Sequence, residues 1–190
     1  ASFEIESNYF ATTIWSLEKE DVHQLLAKLR ESGPSLEALK VFIRLGLATG
    51  ANEAFLVDKM LKDNLIQQDS RNADILKPVL RGRDIERYHF DLPEQWVILA
   101  KNGVNIKDDY PTIYRHLDSF GESFKNRGAQ GQNWWNLRAC SFFEEFKKSK
   151  IVWIELSDKN RFTLSDEEVY LLNSAYFLIP PKNISVKYLL

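Results

Sequence analysis

The chain has 190 residues, 44% hydrophobic and 27% charged, a balance that fits one globular domain or one domain and part of another. Eight glycines, six prolines and one cysteine exclude collagenous, disordered and disulfide-stapled classes. No apolar run reaches the ~18 residues of a membrane span, and a net charge of −2 excludes a uniformly basic nucleic-acid binder.

Residues 9–17 (YFATTIWSL) mix aromatic and β-branched side chains and predict a strand or an extended entry. Ser16 then caps a helix with Glu18, Glu20 and Asp21 near its positive end. Val22, Leu25, Leu26 and Leu29 form one apolar stripe, and Gly33-Pro34 stop the helix. From Val41 to Ala48 the pattern alternates as a strand does, and Ala54 to Val57 resumes it, which predicts a hairpin with its tip at Thr49 to Glu53. A short helix follows around Met60 to Ile66, then a polar loop and Ile75-Leu76 before Pro78. Trp96 to Ala100 predicts a buried strand, and Asn102-Gly103 is a strong hairpin-turn signal. Asp108 to Lys125 predicts one helix opened by Pro111. Ser141 to Lys148 predicts a short helix, Lys150 to Leu156 a strand, and Ala175 to Ile179 the last strand. The expected fold class is α+β, a curved and mostly antiparallel sheet with surrounding helices.

Residues 1–40 are expected to be an N-terminal strand and helix segment, and residues 41–190 the main domain, cut short at its C-terminus where Ser185 to Leu190 opens a helix. The abrupt start at Ala1-Ser2 also suggests a domain cut from a longer protein. Lone Cys140 and an N-terminus without a secretory pattern point to the cytoplasm.

Catalytic signatures are missing: no phosphate-binding loop, no G-x-S-x-G, no cysteine pair for zinc. His23, His89 and His116 are not at ligand spacing. Glu145-Phe146-Lys147 has the Glu-x-Lys form of many nucleases, but its helical setting is wrong for that site. Ile179-Pro180-Pro181-Lys182 lacks the amide and the aromatic that flank Pro-Pro in adenine methyltransferases. The fragment is therefore expected to carry no catalytic, cofactor or metal residues.

Charge is segregated, with +2 from Arg71 to Tyr88 and +3 from Arg115 to Lys150, while the first forty residues hold seven acids and four bases. Arg81-Gly82-Arg83-Asp84-Ile85-Glu86-Arg87 can project guanidiniums from a tight turn toward phosphate or a guanine edge. A solvated turn with local ion pairs is the alternative. The loop from Arg127 to Arg138 holds Gln130, Gln132, Asn133 and Asn136 with Trp134 and Trp135. Amides read adenine edges, arginine reads guanine or phosphate, and tryptophan can stack on a base or anchor the loop to the core. Thr49 and Asn52 at the hairpin tip allow close ligand approach. Lys77 and Lys101 are point charges suited to phosphate.

Gly46-Leu47-Ala48-Thr49-Gly50-Ala51-Asn52-Glu53-Ala54-Phe55 resembles the opening of the TaqI-like C-terminal specificity domain. Leu76 to Ile85 followed by Arg87-Tyr88 is similar to that family's most recognisable motif. Trp96-Val97-Ile98, Tyr110 to Ile113 with His116-Leu117, then Arg127, Gly131, Trp134-Trp135 and Leu137-Arg138, and finally Lys150-Ile151-Val152 follow in the family's order, with a looser fit from Phe162 to Leu178. The resemblance implies the target-recognition module of a bacterial restriction-modification enzyme whose methyltransferase modifies adenine. It implies double-stranded DNA as partner and a methyltransferase domain of the same parent chain that binds S-adenosylmethionine. It also allows a fused endonuclease with Mg2+. The implied DNA-binding residues are Thr49, Asn52, Lys77, Arg81, Arg83, Arg87, Lys101, Arg127, Gln130, Gln132, Asn133, Trp134 and Arg138. A protein-interaction or subunit-assembly domain without DNA contact is the alternative.

Overall fold

The structure, a computed structural model, describes residues 18–91 and 93–190. The chain divides into two compact units, Ala1–Val41 and Phe42–Leu190.

In the first unit, helix α1 spans Glu20–Glu31, with Glu20 and Asp21 in its first turn and Lys28 and Arg30 in its last. Acids at the start and bases at the end both oppose the helix macrodipole favourably. Lys19 holds the N-cap position, so the helix begins later than a Ser16 cap would place it. Ser16 and the extended segment expected over residues 9–17 lie outside the described residues. Leu25 and Leu29 of the apolar stripe are exposed.

Among its described residues the second unit contains ten strands. β1 (Phe42–Leu45), β7 (Lys150–Ile154), β8 (Phe162–Ser165) and β10 (Ala175–Ile179) form one antiparallel sheet in the order β1-β10-β7-β8. β2 (Leu56–Asp58), β3 (Leu76–Leu80), β6 (Gln95–Ile98) and β9 (Tyr170–Leu171) form a second, in the order β2-β6-β3-β9. Its β3–β9 pair is parallel; the others are antiparallel. β4 (Ile85–Glu86) and β5 (His89–Phe90) make a small ribbon. The α+β class and the antiparallel bias are as expected, with the strands divided between two four-stranded sheets.

Three local expectations are corrected. β1 pairs with β10 and β2 with β6, so residues 41–57 are not a hairpin; Asn52–Phe55 instead forms a helical turn, α2, between them. Val41, Ile43, Leu45 and Leu47 alternate as a strand of a hairpin would, but the strand partners lie far along the chain. Asn102-Gly103 does turn, with Gly103 at φ 87°, yet it leads from β6 into helix α4 (Ile106–Asp109). The helix expected over 108–125 is broken into α5 (Pro111–Asp118) and α6 (Gly121–Lys125), because Gly121 sits at φ 75°. Helix α3 (Lys59–Gln68) is capped by the Asp58 carboxylate, which accepts from the Leu61 amide at 2.8 Å.

Pro78 lies within β3, where it would ordinarily break a ladder. β6 pairs with Leu76 to Pro78 and β9 with Val79-Leu80, so the strand changes partner at the proline and a missing donor is tolerated. The core is aromatic: Phe146, Tyr170 and Phe177 are fully buried, with the Phe146 ring centroid 5.0 Å from Tyr170 and 4.8 Å from Phe177. Each such ring contributes about 2–3 kcal/mol of burial.

Candidate nucleic-acid interface

The two sheets meet where β9 gives way to β10. Residues Leu172 to Ser174 cross from one sheet to the other, and backbone bonds hold the crossing from several sides. Leu172 N–H donates to Leu80, Asn173 N–H to Leu47, and Glu155 N–H to the Ser174 carbonyl, at 3.0, 2.9 and 2.9 Å. Gly82 N–H donates to the Ser174 hydroxyl at 2.9 Å. A Cβ on Gly82 would stand 2.2 Å from the Ser174 carbonyl oxygen, so glycine is required for this approach. Gly50, at φ 75°, brings its turn equally close to the Ala129 carbonyl, where a Cβ would meet oxygen at 2.3 Å.

Around this crossing lie three adjoining depressions of about 650, 350 and 420 Å³. Asn173 borders all three, and together they make one open groove. Arg81, Arg83 and Gln95 stand at one end, Asn52 and Glu53 in the middle, Arg44 and Arg138 at the other end.

The arginines at the first end differ sharply. Arg81 is held by Asp84: Nε and Nη2 donate to the two carboxylate oxygens at 3.1 and 3.0 Å, and the Arg81 amide donates to the same group at 2.8 Å. Its charge is matched and its fork is occupied. Arg83 is 71% exposed and 4.0 Å from Asp84. Arg87 lies on the β4–β5 turn, donates to the Tyr88 hydroxyl at 3.1 Å, and lines a separate depression with Asp158, Lys159 and Arg161. Thr49 is buried; its hydroxyl donates to Asn52 Oδ1 at 2.6 Å and accepts from the Ala51 amide at 3.2 Å.

The tryptophan loop is braced from inside. Arg127 donates to the carbonyls of Phe124 at 3.2 Å, of Asn136 at 2.7 Å, and of Trp134, while its guanidinium covers Phe124 and Phe55. Burial pulls its pKa down from the usual guanidinium value. It remains charged, given that value. Trp134 meets Tyr114 and Phe124 at 5.4 and 5.8 Å between centroids, and Trp135 meets Tyr114 at 5.7 Å. Asn133 donates through Nδ2 to Asn136 at 3.1 Å, and Asn136 itself is buried. Gln130 and Gln132 are exposed outside the groove lining, whereas Arg138 is exposed within it. Of the lysines, Lys77 is half-buried on β3 and Lys101 pairs with Glu144 at 3.3 Å while covering Phe143.

Burial also shifts Lys150, His116 and Cys140. Lys150, fully buried, is lowered to about 8, while donating to the carbonyls of Phe146, Glu167 and Lys148 at 2.7, 2.9 and 3.3 Å. Those acceptors and the nearby acids favour the ammonium, which persists at neutral pH. His116 is lowered, chiefly by desolvation, and an Nε2–H tautomer donates to Ala54 at 3.0 Å. The Cys140 thiol is raised, which keeps it protonated and unreactive at neutral pH. Among the described residues no cluster of His, Cys, Asp or Glu is placed to hold a metal ion, and no helix is long and apolar enough to cross a membrane.

Of the candidates singled out in the sequence, Thr49, Asn52, Arg81, Arg83 and Arg138 line this groove; Arg44, Glu53, Gln95, Asn173 and Ser174 line it too and are not among those candidates. Asn173-Ser174 signals a turn between two apolar runs. Only the strand partners reveal that this turn joins the sheets.

The second unit is thus an α+β domain whose two sheets are joined at one crossing, with an open groove beside it. The sequence model of the TaqI-like C-terminal specificity domain matches residues 77–190, and the chain belongs to that family. The match begins within β3 and covers the arginine turn, the tryptophan loop and the crossing; the Gly46–Phe55 segment lies before it. The chain is 24% identical to the type II methyltransferase M.MjaIV of Methanocaldococcus jannaschii over 161 residues, 78% of this chain and 52% of that protein. It is 23% identical to the type II methyltransferase M.BstVI of Geobacillus stearothermophilus over 174 residues, 87% of this chain and 30% of that protein. It thus spans about half or less of these relatives. A solved structure of the type IIL restriction-modification enzyme MmeI in complex with DNA matches 73% of this chain and 19% of its own, with 14% identity and a TM-score of 0.48.

Proposed function

We propose that the second unit reads double-stranded DNA as the target-recognition module of an adenine-specific methyltransferase within a restriction-modification system. The groove at the sheet crossing is its contact surface. One observation carries the reading: in a chain of the specificity-domain family, two exposed arginines, Arg83 and Arg138, flank a groove lined by Asn52, Gln95 and Asn173. Guanidiniums suit phosphate and guanine; amides suit adenine. The methyltransferase domain of the parent chain would bind S-adenosylmethionine, act in the cytoplasm on cellular DNA, and take its base from the stack beside this module. A nuclease and its Mg2+ are not needed for this role.

Arg127 and Trp134 act here as braces for the contact surface. Lys101 belongs to a local ion pair. Arg83, Arg138 and Arg44 are the proposed phosphate or guanine contacts.

Fluorescence anisotropy with labelled duplexes tests the proposal. Arg83→Ala combined with Arg138→Ala is expected to weaken duplex binding at least tenfold without lowering the melting temperature. Unchanged affinity in that variant would remove the groove from DNA binding. Absence of duplex binding by the unaltered chain would favour the assembly-domain alternative.

A further inference from the structure

Resting on the DNA-reading role proposed above, we infer that Asn173 is the adenine-reading residue of the groove. A two-point contact with adenine needs both ends of one amide free: the carbonyl oxygen accepts from N6 and the amino group donates to N7. Three groove amides compete for the role. Asn52 already accepts the Thr49 hydroxyl on Oδ1 at 2.6 Å, which occupies one of that oxygen's two lone pairs and ties the amide to its own turn, whereas a base-reading amide is wanted free at both ends. Gln95 has its Oε1 buried away from solvent, out of reach of a base edge. Asn173 is exposed, and its side-chain amide makes no hydrogen bond to any described residue.

The usual reasons for an asparagine in a turn do not apply. Asn173 does not adopt a positive φ, so left-handed backbone does not select it. Its side chain caps no helix. Its backbone, by contrast, is fixed: its own N–H donates to Leu47, and the flanking residues bond to Leu80 and Glu155. Rigid backbone below a free amide is what readout of a base edge requires. The position agrees, since Asn173 is common to all three depressions and the exposed arginines stand beyond it at either end. Asn133, from the tryptophan loop, has its amino group engaged by Asn136.

Selection from a duplex pool with a randomised ten-base-pair centre, using the 190-residue chain, tests the assignment. The unaltered chain is expected to enrich a motif with an obligatory adenine. Asn173→Ala should relax discrimination at that one pair by roughly 5- to 150-fold and leave the other positions intact. Asn173→Asp keeps an acceptor and loses the donor, so its preference at that pair should move toward cytosine, whose N4 amino group donates. An unchanged motif in both variants overturns the assignment while leaving the DNA-reading role in place. Loss at every position together with a lower melting temperature would also overturn it, by making Asn173 part of the turn's architecture. A pool left unenriched by the unaltered chain overturns the DNA-reading role and this assignment with it.

Discussion

Arg83 and Arg127 show how far one residue type can diverge within a single domain. Arg83 faces solvent at the groove, with its nearest carboxylate 4.0 Å away. Arg127 holds three backbone carbonyls of the tryptophan loop and covers two phenylalanine rings. Removing Arg127 strands acceptors that water reaches poorly, so Arg127→Ala is expected to cost roughly 3 kcal/mol in urea unfolding. Arg83→Ala should stay within about 0.5 kcal/mol of the parent and lower duplex affinity instead. Equal unfolding midpoints for the two variants would contradict this division. His116 offers a pH test at the same scale. Burial lowers its pKa below the ordinary 6.5, against the weaker opposing effect of its bond to Ala54. As pH falls through 6.5 the unfolded chain takes up a proton that the fold still refuses. Unfolding then binds protons, so stability present above 6.5 is lost from there down to the lower folded value. Between pH 7.5 and 5.0 the parent chain should lose more stability than His116→Gln, which lacks the titrating ring.

Among the elements, the legible ones were those whose signal is local. α3, β6, β7 and β10 follow from apolar periodicity and β-branched runs, because each carries its own pattern. β3 was hidden by Pro78, which is tolerated only because the strand changes partner there. β9 is two residues long within the apolar run Val169 to Leu172, and its parallel pairing with β3 has no sequence signature. The groove was half legible for the same reason: the arginine turn announces itself, whereas the sheet crossing depends on partners some ninety residues apart. That crossing gives an element-scale prediction. Gly82→Ala would press a Cβ into the Ser174 carbonyl, 2.2 Å away, and neither backbone can yield easily. It should destabilise the domain by about 1–3 kcal/mol, as overpacking does. Gly128, with nothing within 4 Å of its Cβ position and no positive φ, is the control. Gly128→Ala is expected to be neutral or to stabilise by about 0.5 kcal/mol through the unfolded chain. Urea titration of the two variants separates contact from composition.

At the scale of the whole molecule, a net charge of −2 and a pI near 6.0 mean that long-range attraction to DNA is weak. Binding must then rest on a few charges placed in contact, and these can be counted. Each phosphate neutralised on B-form DNA releases counterions and adds about 0.9 to the slope of log affinity against log salt. Arg83, Arg138 and Arg44 border the groove with exposed guanidiniums, while the charges of Arg81 and Lys101 are already met by Asp84 and Glu144. The salt slope of the chain on an unrelated duplex should therefore be shallow, on the order of 3. Arg83→Ala and Arg138→Ala should each reduce it by nearly one unit where they neutralise phosphate. Lys101→Ala should leave it unchanged, because it removes one ion pair to Glu144, which keeps Lys147 at 2.6 Å, and no DNA contact. An arginine that instead contacts guanine would leave the slope on the unrelated duplex nearly intact and lower only the preference for the selected sequence. Anisotropy titrations of each variant between 50 and 200 mM salt, on selected and unrelated duplexes, separate the two roles for every groove arginine. A steep slope that falls with Lys101→Ala and ignores Arg83→Ala would move the phosphate contacts off the groove and onto the surface around Lys101.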